Sequence, residues 1–164
     1  AKKQEFIKYK PDENDMKILA SISENPMFSL KDVANISGLT IDVVNYRIKK
    51  MIQGNIITKF VPAINYENLG YTMYAVAMNI QNINKKKEAF LQQLISQDPN
   101  VVWAAKMLGK FNLIFYACVT NTEEFHNTIN MIRKHFANDI FDYETLIAYK
   151  THKFTYFPKI LAGK

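Results

Sequence analysis

The sequence predicts an α+β chain in two parts, on three observations. Three short helical patterns with capping residues come first. The hydrophobic period then changes after Pro62. The second part reads, in order, strand, helix, strand, strand, helix, strand. That is the order of a ferredoxin-like β-α-β-β-α-β module, with both helices on one face of an antiparallel sheet. The 164 residues are 48% hydrophobic and 13% aromatic, which suffices for real cores and excludes wholesale disorder.

The first helix is expected from Asp12 to about Ser23, with Ile18, Leu19 and Ile22 on one face and Asp12, Glu13 and Asp15 at its dipole-positive start. Asn25-Pro26 should end it. Ser29 to Asp32 has the spacing of a capping box, weakened because Asp is a shorter arm than Glu. Leu30, Val33 and Ala34 should face inward as far as Gly38, the residue type expected past a helix end. Thr40 is placed to cap a third helix running to about Gln53 and stopping at Gly54-Asn55. The run "IITKFVPAI" that follows reads as a strand.

The third helix has two faces. At about 100° per residue, Ile41, Val44, Ile48, Met51 and Ile52 fall within roughly one third of the circumference, a single apolar stripe. Val43, Tyr46, Arg47 and Lys50 form a second contiguous face, partly apolar. A merely solvated back would more often be Glu, Lys and Gln throughout, so this face reads either as a solvated surface or as a working one.

In the second part, "NYENLG" reads as a turn or a single helical turn. Strands are expected at 71–80, 101–108, 112–119 and about 141–149, and helices at about 85–97 and 122–136. Phe90, Leu91, Leu94 and Ile95 mark the inner face of the first of these helices, and Phe125, Ile129, Ile132 and Phe136 that of the second. The sheet's other face should alternate with polar residues if it met water. Instead "NLIFYACV" is apolar on both sides, which implies a partner surface, most economically a second copy of the chain.

The stretches "DENDMKILASISENPMFSLKDVANISGLTIDVVNYRIKKMIQGNIITKF", "NYENLGY" and "MLGKFNLIFYACVTNTEEF" together resemble the Lrp/AsnC (leucine-responsive, feast/famine) family of transcriptional regulators. The resemblance covers Lys10 to about Phe154. It implies a winged helix-turn-helix domain at 10–60, a linker at 61–70, a ferredoxin-like effector-binding and oligomerisation (RAM-type) domain at 71–154, and a tail at 155–164. It also implies double-stranded DNA as partner and a homodimer or larger even-numbered oligomer. In a helix-turn-helix the second helix of the motif lies in the major groove with its first residues nearest the bases. Here Thr40, Asp42, Val43, Asn45 and Tyr46 would take those places, with Arg47, Lys49, Lys50 and Lys59 reaching phosphates. Asn can read adenine and Val can meet a thymine methyl. Between Leu39 and Phe60 four cations oppose Asp42 alone. That carboxylate is repulsive near DNA unless it accepts from cytosine or caps locally.

The turn Leu108, Gly109, Lys110, Phe111 and Asn112 matches the family's Gly-x-x-Asp loop, which implies a small-molecule effector, an amino acid in particular. Asn112 stands where the family carries Asp, and an amide offers a ligand ammonium only a dipole. A plain hairpin turn fits the same residues.

Other chemistry is sparse. Cys118, the one cysteine, lies in an apolar strand and reads as a buried structural thiol. His126 and His135 fall on opposite faces of one helix and His152 is isolated, so no metal site is expected, and no cofactor. Lys85, Lys86 and Lys87 open a helix at its positive end and read as a solvated patch or, in an oligomer, as a phosphate contact. With a net charge of +6, a polyanionic partner is admitted but not established. No signal peptide or run of about 18 apolar residues appears, so a soluble, cytoplasmic protein with no membrane partner is expected. Two alternatives stay open: an oligomeric ligand sensor that does not bind DNA, and an enzyme on the same architecture, like the siroheme decarboxylases. The enzyme would need His, Arg or Tyr residues converging on a macrocycle, and the chain has only two arginines, Arg47 and Arg133.

Overall fold

The computed structural model describes residues 9–25, 27–158 and 161. They form two compact units. One comprises the described residues up to Ala63 together with those from His152 onward; the other is Ile64–Thr151. Pro26 and half of the expected tail at 155–164 lie outside the described residues.

The first unit packs α1 (Glu13–Glu24), α2 (Leu30–Ser37) and α3 (Ile41–Gln53) around Ile18, Val33, Ala34, Val44, Met51 and Ile57. Both acidic N-termini are complete capping boxes. Asp15 N–H donates to Asp12 Oδ1 and Asp12 N–H to Asp15 Oδ2, each at 3.0 Å. Asp32 N–H donates to Ser29 Oγ at 3.2 Å and Ser29 N–H to Asp32 Oδ2 at 2.9 Å. The shorter Asp arm therefore closes the box after all. Gly38 ends α2 at φ +71°, a left-handed conformation that favours glycine.

Three sequence expectations for this unit need correction. Ile41 and Ile52 are 47% and 46% exposed, so the buried stripe of α3 is narrower than its apolar residues suggested and centres on Val44 and Met51; in α2, Leu30 is 39% exposed instead of facing inward. Residues 55–63 form no strand. The N–H groups of Ile56 and Ile57 both donate to the Met51 carbonyl, at 2.8 and 3.2 Å, closing the end of α3 instead of pairing with a neighbouring strand. Asn55 makes that turn at φ +57°.

The second unit begins with one 3₁₀ turn, Glu67–Leu69. It continues as β1 (Thr72–Ile80), α4 (Lys85–Gln97), β2 (Val101–Lys106), β3 (Leu113–Val119), α5 (Thr122–Phe136) and β4 (Ile140–Ile147). The strands pair antiparallel in the order β2-β3-β1-β4. Asn84 and Asn121 cap the two helices through Lys87 N–H and Glu124 N–H. In the Lys85–Lys87 run, Lys87 is drawn to Asp139 at 2.6 Å, which offsets its unfavourable place at a helix start. Val76, Met78, Ile80, Leu113, Phe115 and Ala117 point to the helix side and meet Leu91, Ile95, Ile129, Ile132 and Phe136. Alternate residues face the other way. There Trp103 packs on Tyr116 with ring centroids 5.4 Å apart, and Leu146 is 61% exposed. This outer face is apolar and uncovered in the single chain.

Candidate nucleic-acid interface

The helix-turn-helix unit presents one side of α3 to solvent. Thr40, at its N-cap, accepts from Val43 N–H at a long 3.4 Å. Asp42 is exposed in the first turn, where the helix dipole favours a carboxylate, so its local role is to support the N-terminus. Val43 and Tyr46 are exposed, and Lys50 Nζ sits 5.0 Å from the Tyr46 ring centre, a cation–π contact that gathers the two into one patch. Lys49 is exposed and Asn45 half-buried beside it. Lys59 is exposed beyond the helix. Among the described residues, no carboxylate lies within ion-pair distance of Lys49, Lys50 or Lys59.

Arg47 belongs elsewhere. Its Nη1 donates to both oxygens of Asp12 at 2.8 Å and to Asp15 Oδ1 at 3.0 Å, and its side chain is 21% exposed. In the unbound chain the guanidinium expected to reach phosphate is instead held by the carboxylates of α1. Asp15 is 1% exposed and accepts a third partner, the hydroxyl of Tyr9, at 2.7 Å. A buried carboxylate is costly unless donors surround it, and these three partners satisfy its oxygens. Tyr9 closes the cluster by lying over Gly54, where a Cβ would come 2.5 Å from Tyr9 Cβ and 3.2 Å from the Lys50 carbonyl. Glycine is required there by close approach and not by backbone angle.

The titrations follow this geometry. The Asp15 N–H, followed by the Arg47 guanidinium, holds the Asp12 carboxyl below its ordinary range. Burial, reinforced by the bond to Asp15, pushes the Tyr9 phenol up to about 12. In sequence, Asp12 and Asp15 read only as dipole partners of α1. Nothing in their spacing points to an arginine thirty-odd positions away, because the contact exists only once α1 and α3 cross.

The turn between β2 and β3 is largely held by contacts within the chain. Leu108 is fully exposed, and Gly109 adopts φ +144°. Lys110 is held by Glu144 at 2.9 Å and Asp142 at 3.6 Å, with its ammonium 4.6 Å from the Phe111 ring centre. Asn112 is fully engaged. Ile80 N–H donates to its Oδ1 at 2.9 Å and its Nδ2 donates to the Ile80 carbonyl at 2.7 Å. The side chain thus imitates a strand partner and continues the β1–β3 ladder beyond Met78. Of the five turn residues only Asn112 borders the groove of about 950 Å³ between α4 and β2. That groove has a floor of Ile80, Leu91, Ile95 and Leu113, and at its rim Lys106 pairs with Glu88 at 2.6 Å.

Elsewhere the side chains are quiet. Cys118 is buried and desolvation raises its thiol pKa. His135 packs edge-on against Phe90. Among the described residues no group of His, Cys, Asp and Glu side chains is arranged to hold a metal ion, and no helix is long and apolar enough to cross a membrane.

Comparison with known proteins agrees with this arrangement. The profile of a winged helix-turn-helix DNA-binding family matches residues 11–58. The HTH-type transcriptional regulator FL11 of Pyrococcus horikoshii is 26% identical over 144 residues, covering 88% of this chain and 93% of that protein. Among solved structures, a transcriptional regulator of Neisseria meningitidis in complex with L-Met superposes with a TM-score of 0.77 at 17% identity, over 91% of this chain and 96% of that one. An AsnC family transcriptional regulator from Agrobacterium tumefaciens gives 0.76 at 22% identity, over 89% and 95%. Three capped helices that match a winged helix-turn-helix DNA-binding family thus lead into a β-α-β-β-α-β module, and the chain shares this two-part fold with an AsnC family regulator along nearly its whole length.

Proposed function

We propose that the chain regulates transcription by binding duplex DNA with the solvent face of α3. The observation that carries this is the pairing of an anchored helix with an unoccupied face. Arg47 fixes α3 against α1, while exposed Val43 and Tyr46, with half-buried Asn45, stand beside Lys49 and Lys50, whose charges no described carboxylate neutralises. Asn45, Tyr46 and Val43 meet base edges, and Lys49, Lys50 and Lys59 meet phosphates. Fluorescence anisotropy with the duplex immediately upstream of the protein's own gene, run over a salt series, tests this. Replacing Lys49 and Lys50 with Ala should reduce the salt slope by about 1.8, at roughly 0.9 per phosphate contact. No binding by the unaltered chain at low salt would refute it.

The second unit supplies assembly. The outer sheet face of Trp103, Tyr116, Ile114 and Leu146 pairs with a second copy, giving a dimer or a larger even-numbered ring. Two helix-turn-helix units then address half-sites about 34 Å apart. Light scattering reads this directly, and Trp103→Glu should shift the population toward monomer.

A second reading, small-ligand sensing, draws on the groove between α4 and β2. Its rim carries one carboxylate and one ammonium, Glu88 and Lys106, above an apolar floor. The two pair with each other at 2.6 Å but are exposed enough for a zwitterion with an apolar side chain to open the pair at small cost, whereas the Asn112 amide is held by both backbone groups of Ile80. Calorimetry against the twenty amino acids, repeated on Glu88→Gln, tests this site. Binding left unchanged by that substitution would refute it.

A further inference from the structure

Beyond α3, one part of the chain has the composition of a nucleic-acid contact. From Thr145 to Lys164 the sequence contains no Asp or Glu, yet it contains Lys150, Lys153, Lys159 and Lys164, most of the chain's net +6. The same stretch holds four aromatics, Tyr149, Phe154, Tyr156 and Phe157. After β4 ends at Ile147, residues 148–158 form neither helix nor strand. Tyr149 is 87%, Phe154 65% and Tyr156 60% exposed. The Phe154 and Tyr156 rings meet edge-on with centroids 4.8 Å apart, and a local turn fixes them, Phe157 N–H donating to Thr155 Oγ1 at 3.3 Å. Lys150 and Lys153 are exposed, with no described carboxylate at ion-pair distance. From His152 onward, the described residues group with the helix-turn-helix unit.

We infer that this segment is a second DNA-contacting element, an extended basic arm in which Lys150 and Lys153 bind backbone phosphates and the Phe154–Tyr156 ring pair packs against the sugars of the groove beside them. It rests on the DNA-binding reading above and extends it. A tail kept solvated only by charge would have no use for an ordered aromatic pair. An arm that closes on an apolar core would not leave its rings more than half exposed. An acid-free extended segment with exposed rings fits the charged, partly apolar surface of a duplex groove.

The test is anisotropy on the same duplex over a salt series, with light scattering of every variant. Lys150→Ala/Lys153→Ala should reduce the salt slope by about 1.8. Phe154→Ala/Tyr156→Ala should weaken binding several-fold and leave the slope alone. Neither pair should alter the oligomer. If the unaltered chain binds and both double variants bind as it does, while Lys49→Ala/Lys50→Ala is weakened, the inference fails and the α3 reading stands. If the tail variants change the oligomer instead of the slope, the arm serves assembly and the inference is equally overturned. Absence of binding by the unaltered chain overturns both.

Discussion

Arg47→Ala separates anchoring from DNA contact. In the folded unit a single nitrogen, Nη1, serves both oxygens of Asp12 and one of Asp15. Removing one partner of a buried ion pair costs about 3–5 kcal/mol when the other is left wholly unpaired. Here Asp12 is 54% exposed and can rehydrate, while Asp15, 1% exposed, keeps the Tyr9 hydroxyl and the Asp12 N–H. The expected loss is therefore nearer 2–3 kcal/mol, roughly a 30- to 150-fold shift in the folding equilibrium. For a unit of this size that lowers the midpoint by on the order of 10–20 °C. Because the three contacts converge on one nitrogen, Arg47→Lys should be milder than Arg47→Ala. The assay is thermal unfolding followed by circular dichroism, with the DNA salt slope then measured at a temperature where the variant is fully folded. Stability should fall and the slope should hold. An unchanged midpoint with a slope reduced by about 0.9 would show that Arg47 contacts phosphate and that the anchoring argument is wrong.

Three further outcomes are expected. The Tyr9 phenol is raised from 10.0 to about 12, so its contribution to stability is fully present below pH 10 and is lost as pH rises through 12. Tyr9→Phe should remove that alkaline loss and cost about 1.5–3 kcal/mol at neutral pH, the worth of a hydrogen bond to a charged group, as read by urea unfolding at both pH values. Asn112→Asp places a carboxylate against the Ile80 carbonyl, so it should destabilise the second unit by about 1–3 kcal/mol at neutral pH rather than create an ammonium site. Its carboxyl should titrate above the ordinary range, and stability should return as pH falls and the protonated acid donates to that carbonyl; a stable variant at pH 7 would refute this. Gly54→Ala should displace Tyr9 and lower the stability of the first unit by about 1–3 kcal/mol; because the clash is with the Tyr9 Cβ, Tyr9→Gly should relieve it in the double variant and Tyr9→Ala should not.

The sequence by itself determined what depends on local spacing and chemistry. The caps at Ser29 and Thr40, the turn at Gly38, the limits of α4 and α5 and the inner faces of those two helices all follow from side-chain reach and from the 3.6-residue period. The faces of α3 were legible only in part. Val44 and Met51 against Val43, Tyr46 and Lys50 follow from the period, but Ile41 and Ile52 look like core and stand in solvent, since how wide a stripe is buried depends on how much α1 and α2 cover. The tertiary structure decided whatever needed a distant partner. The run after Gly54 has strand composition, but its N–H groups find the Met51 carbonyl before any ladder. Arg47 reads in sequence as a phosphate ligand, and only the crossing of α1 and α3 delivers two carboxylates of the chain itself to it. Asn112 looked like a weakened ligand contact until the fold of β3 beside β1 gave its amide both halves of a strand pair at Ile80. A side chain's type sets which partners it can satisfy. Only the packed chain decides which of them arrives within 3 Å, and a charge or amide satisfied inside the protein is no longer available to a ligand outside it.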